Sequence, residues 1–138
     1  MNDKSFADLP WHDAEILSIE IDRRSPGLLD EVVLVVTWPD EVTSRIRFQN
    51  CWRLEALMNF GIVAPESVLT ASEDSDSEGL RRVREKWSKV GLEVSDLRCF
   101  SIETNSTAST ISVYAQQWAE ESISEHPGET ASPGARST

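Results

Sequence analysis

Three runs of residues in quick succession near the start of this chain restrict it to a sheet. Leu17, Ile19 and Ile21 alternate with Ser18, Glu20 and Asp22; Val32–Val36 is apolar at every position; Val42, Ser44, Ile46 and Phe48 then alternate with Arg45 and Arg47. Period-two alternation marks a half-buried strand, and an unbroken short apolar run marks a strand covered on both faces. The gaps between the runs hold turn formers. Arg23–Gly27 carries Pro26, which presets φ, and Gly27, which permits positive φ; Trp38-Pro39-Asp40-Glu41 makes the next turn. Strands joined this closely pair as an antiparallel meander.

The rest of the chain adds to that sheet. Asn50–Phe60 reads two ways: Trp52, Leu54, Ala56 and Met58 share one face of a strand, and Leu54, Leu57 and Met58 share one face of a helix. The flanking strands and nearby Gly61 favour the strand. A short strand is expected around Val68 and Leu69, then an acidic, serine-rich linker over residues 73–79. Leu80, Val83, Trp87 and Val90 recur at helical spacing, with Ser75 and Glu78 as a capping box and Gly91 as the C-cap. Phe100 and Ile102, then Ile111, Val113 and Ala115, alternate again across a hairpin turn at Thr104–Ser109. The expected fold class is α+β: a mainly antiparallel β-sheet of about six strands with one amphipathic helix packed on it. Residues Met1–Asp8 read as polar and loose. Residues 1–119 form one domain, and 120–138, rich in Ser, Glu, Pro and Gly, read as a disordered tail.

Charge narrows the function classes. The formal net charge is −11, and the tail's four acids and one arginine leave the rest of the chain at −8. Such a field repels nucleic acid and anionic lipid, so neither is expected as a partner; a basic protein is. Two cysteines without a CxxC, no apolar leader and no long apolar run point to a soluble protein of the reducing cytoplasm. One sequence does not disclose an oligomeric state.

Few residues could carry chemistry. His12-Asp13, beside Trp11, could orient a general base, but neighbours in an extended segment point apart, so a structural role is expected. Asp74-Ser75-Asp76-Ser77-Glu78-Gly79 with Glu85 has the spacing of a calcium loop, but Arg81, Arg82 and Arg84 place positive charge there and no helix precedes it. The hydroxyls of Ser101–Ser112 lack a base and a G-x-S-x-G turn. Cys51 and Cys99 read as buried apolar residues, and most of the five tryptophans as core; an exposed one would mark a binding hot spot. No catalytic, metal or cofactor residue is expected. The candidate polar or interface residues are His12, Asp13, Glu20, Asp22 and Glu103.

Three stretches carry a resemblance: Leu9-Pro10-Trp11-His12-Asp13-Ala14-Glu15-Ile16, Met58-Asn59-Phe60-Gly61-Ile62 and Glu103-Thr104-Asn105-Ser106-Thr107-Ala108-Ser109. They resemble small bacterial proteins of the immunity-protein type found in polymorphic toxin systems. In that pattern the third stretch often has glycine where this chain has Ala108, a departure at the turn. The resemblance implies a compact, β-rich, cytoplasmic domain that binds a cognate toxin and carries no catalytic residues. The function expected is therefore a non-enzymatic acidic binding protein, an immunity protein that neutralises a cognate bacterial toxin by occluding its active site. The rival is a small enzyme or ligand-binding domain with a polar site near His12 and Asp13.

Overall fold

The computed structural model describes residues 5–123. After a single 3-10 turn (Phe6–Asp8), the elements are β1 (Glu15–Ser25), β2 (Leu29–Thr37), β3 (Thr43–Leu57), β4 (Val68–Asp74), α1 (Glu78–Ser88), β5 (Arg98–Thr104) and β6 (Thr110–Ser122). All strand pairs are antiparallel, in the order β1-β2-β3-β6-β5-β4. The fold is α+β and mainly β, with one helix on the sheet. Among the described residues no helix is long and apolar enough to cross a membrane.

The turns form where their residues allow. Gly27 takes φ 81 after Pro26, and Leu28 N–H donates to Ser25 O (3.0 Å). The ambiguous Asn50–Phe60 stretch is strand through Leu57, so β3 is one fifteen-residue strand. It bends where Asn50 has φ 57 and where Trp52 is an extra residue between the pairs Cys51↔Ala115 and Arg53↔Tyr114. A second bulge at Leu17, between the pairs Ile16↔Val36 and Ser18↔Val35, breaks the alternation expected of β1. Ile16 faces the core, whereas Leu17 and Ile21 are exposed.

These bends coil the sheet until its outer strands meet corner to corner. Glu15 bridges to Ser67; Ile16 N–H donates to Glu66 O (2.9 Å) and Val68 N–H to Ala14 O (2.7 Å). The concave face holds the main core, including Leu34, Ile46, Phe48, Phe100, Ile111 and Val113. Phe6 fills its centre, with ring centroids 4.9 Å from Trp11, 5.0 Å from Phe100 and 5.6 Å from Trp118. The expectation of a loose start at Met1–Asp8 therefore fails at Phe6, which is fully buried. Trp11 Nε1 donates to Phe6 O (2.8 Å), so the indole satisfies its own buried donor while pinning the plug.

On the convex face α1 packs Leu80 and Val83 against Val94, Leu97, Cys99 and Tyr114. Its N-cap is Ser77, whose Oγ accepts from Leu80 N–H (3.2 Å), two residues later than the expected capping box at Ser75. The linker is shorter than expected, because Glu73 and Asp74 finish β4. The helix stops at Ser88. Gly91 takes φ 85 and Leu92 N–H donates back to Trp87 O (3.0 Å), which leaves Val90 outside the helix and exposed.

The domain boundary also needs correction. Glu120 and Glu121, assigned to the tail, lie in β6 opposite Ile46 and Arg45, and the strand runs to Ser122. The buried Ser44 hydroxyl accepts from Trp38 Nε1 (2.9 Å) and donates to Glu120 (3.0 Å), so this acid completes a core hydrogen-bond chain. Residues 124–138 of the expected disordered tail lie outside the described residues.

Candidate functional site: the seam of the sheet

The three short stretches singled out in the sequence come together where the sheet closes. The first supplies the turn into β1. Ala14 N–H donates to Trp11 O (2.8 Å) and Asp13 takes φ 70, so His12 and Asp13 sit at the tip of a turn and not in an extended segment. Their side chains are 73% and 69% exposed and His12 Nε2 lies 3.8 Å from Asp13 Oδ2, beyond hydrogen-bond length. His12 Nδ1 instead lies 3.3 Å from Leu69 O. Asp13 N–H donates to Val68 O (2.9 Å). The pair ties the first turn to β4 and screens part of that strand's open edge.

The third stretch is the β5–β6 turn. Thr104 N–H donates to Ser109 O (2.9 Å), and Ala108 takes φ 56. That is the left-handed geometry glycine tolerates best, so alanine keeps the glycine-type turn with added strain.

The second stretch opens the loop between β3 and β4, and both ends of that loop are fastened to the β5–β6 turn. At one end Asn59 N–H donates to Ser109 Oγ (2.8 Å) and Asn59 Nδ2 to Thr107 O (2.9 Å). At the other, Ser106 Oγ donates to Pro65 O, Thr107 Oγ1 donates to Glu66 Oε2 (2.7 Å) and Asn105 N–H donates to Ser67 O (2.7 Å). The Ser and Thr hydroxyls of residues 104–109 thus serve as loop fasteners. Between the fastened ends Phe60 is 86% exposed, Ile62 58% and Val63 fully so; Leu17, at the β1 bulge, is 58% exposed. A groove of about 340 Å³ runs between the β1 edge and this loop, with Ile16, Leu17 and Ile19 on one side and Met58, Phe60 and Ile62 on the other.

Charge is segregated around this groove. No lysine or arginine occurs in residues 5–22, 54–80 or 99–123, the segments that build the seam. Glu66 lines the groove; one carboxylate oxygen accepts from Thr107, and Oε1 is buried with no hydrogen-bond partner in the protein. Glu15 and Glu20 lie along the same strand edge, and neither they nor Glu66 pair with a base among the described residues. The bases gather elsewhere. A smaller hollow of about 200 Å³ between α1 and the sheet has Arg53, Arg82 and Lys86 on its walls, where Arg53 pairs with Glu55 (2.6 Å) and Arg82 with Glu78 (3.0 Å). A wider hollow of about 690 Å³, by the β1–β2 turn, mixes Arg23 and Arg53 with Asp30 and Glu31.

The remaining sequence candidates are dispersed. Glu20 and Asp22 share the convex face of β1, an edge strand, whereas Glu103 is on β5, four places away in the sheet order. Arg24 donates to both Asp22 oxygens and holds that carboxyl down at about 2. Glu103 accepts from Thr70 Oγ1 (3.1 Å). The acids with calcium-loop spacing are divided among β4, a turn and α1, and Asp76 and Glu78 face Arg81 and Arg82. Burial pushes the Cys51 thiol up to about 12, and its S–H donates to Phe48 O (3.1 Å), which disarms it as a nucleophile.

Sequence reasoning missed Phe60–Val63 as an exposed feature. The signal was available: an apolar run set among Asn59, Gly61 and Pro65, breaking the alternation of β3, inside a stretch without bases. The tryptophans fall on the cores as expected: Trp11 and Trp38 are buried, Trp118 packs on the main core, and Trp52 and Trp87 pack on the second. No family model matches this chain, and no curated protein matches it.

Proposed function

We propose that this chain is a non-enzymatic binding protein of the cytoplasm, of the immunity type, that neutralises a basic toxin by covering its active site. The observation that carries the reading is the seam's charge: Glu15, Glu20 and Glu66 have no basic partners among the described residues and lie in segments that contain no lysine or arginine. A toxin that acts on nucleic acid needs a cationic cleft, and carboxylates on a rigid frame offer that cleft the charge of a phosphate backbone. Such charge steers encounter and excludes acidic partners. An enzyme centred on His12 and Asp13 has less support. Both side chains stand in solvent at the tip of a turn, 3.8 Å apart and beyond hydrogen-bond length.

The test uses the C-terminal domain encoded by the adjoining gene, purified alone and expressed with this chain. Protection of growth is expected, together with an association rate that falls at least about tenfold between low salt and about 0.5 M. A chain that gives no protection against that domain overturns the reading, and salt-independent association removes the phosphate-mimic mechanism.

A further inference from the structure

Building on the binding function proposed above, we infer where the partner docks: the groove between the β1 edge and the 58–66 loop is the interface, and its occupant is a cationic protein surface that receives Phe60. Three features converge there. Apolar side chains of this size normally leave solvent, yet Leu17, Phe60, Ile62 and Val63 are presented together at one place. The loop that presents them is not slack. Asn59 at one end and Pro65, Glu66 and Ser67 at the other are hydrogen-bonded to the β5–β6 turn, so little ordering remains to be done on binding. An aromatic side chain on a pre-ordered loop is the usual anchor of an interface, and the polar rim around it sets the partner's charge.

That rim is acidic. Glu66 lines the groove and no lysine or arginine does, and Glu15 and Glu20, elsewhere on β1, pair with no base among the described residues. A second copy of this chain would bring the same carboxylates face to face, which like charge opposes. An arginine- or lysine-bearing surface with an apolar cleft satisfies both halves of the patch: the cleft takes Phe60, and the cations neutralise the glutamates.

The experiment measures binding of the same purified C-terminal domain to the full chain and to five variants. Phe60→Asp and Ile62→Asp place charge on side chains that contact solvent, and circular dichroism with thermal melting confirms that each still folds. Phe60→Asp is expected to weaken binding at least about 30-fold and Phe60→Trp to preserve it within about threefold. Glu20→Arg is expected to slow association with little change in dissociation. Leu28→Asp, at the exposed tip of the β1–β2 turn, is the control and is expected to bind as the parent does. A parent chain that binds and protects, with Phe60→Asp and Ile62→Asp binding equally well, overturns the docking surface while the immunity function stands. A parent chain that neither binds nor protects overturns both. Sedimentation of the chain alone is expected to show a monomer; a dimer abolished by Phe60→Asp would assign the patch to self-association instead.

Discussion

At the scale of single residues, two positions show how local geometry and packing constrain this chain. Ala108 has φ 56 in the turn that anchors the 58–66 loop. A β-carbon in the left-handed region crowds the following carbonyl, and glycine relieves it. Ala108→Gly is expected to raise stability by about 1 kcal/mol in urea denaturation, with the Asn59 and Ser109 amide resonances unshifted. Phe6 is the opposite case, a single ring that touches four other aromatics from a segment with almost no regular structure. Phe6→Ala leaves a hole that the surrounding strands cannot close, and the expected loss is about 3–5 kcal/mol, measured the same way. Neither effect was visible in the residue order. The departure from glycine at position 108 hinted at a turn, but its sign needed the φ angle. Phe6 lies among polar neighbours with no periodicity to mark it as core.

At the scale of elements, alternation located the strands well and their ends poorly. Val32–Val36, Ser44–Phe48 and Ile111–Ala115 are strand as expected: burial alternates along Ser44–Phe48, and Val32–Val36 is buried or half-buried at every position. The bulges at Leu17 and Trp52 did not, since an extra residue in one strand is decided by the partner across the ladder. The seam was illegible for the same reason: it exists only because β1 and β4, far apart in sequence, meet across the coiled sheet. The helix offers the sharpest test of packing between elements. Gly79, in its first turn, sits directly over the Tyr114 hydroxyl, and an added β-carbon would collide with that oxygen. Tyr114 is buried and cannot swing aside cheaply. Gly79→Ala is expected to cost about 1–3 kcal/mol despite alanine's better helix propensity, and adding Tyr114→Phe should recover part of the loss. A double variant no more stable than Gly79→Ala would mean that the clash is not with the hydroxyl.

At the scale of the whole molecule, the C-terminal half of β6 decides where the domain ends. A chain stopped at Trp118 loses the pairings of residues 119–122 with β3 and the Glu120 acceptor of the Ser44 hydrogen-bond chain. It is expected to melt several degrees below a chain stopped at Ile123. Equal melting temperatures would mean that these pairings add nothing. The position of β6 has a further consequence, in the order of events during synthesis. It is the last described strand to leave the ribosome, yet it lies between β3 and β5, joining the β1-β2-β3 meander to the β4-β5 pair. Until it emerges, no strand lies between the two halves of the sheet, and Phe6 lacks Trp118 as a wall. A nascent chain therefore has two unjoined strand edges, on β3 and β5, and an open side to its aromatic plug until residues 110–122 are made, so the sheet is expected to close late.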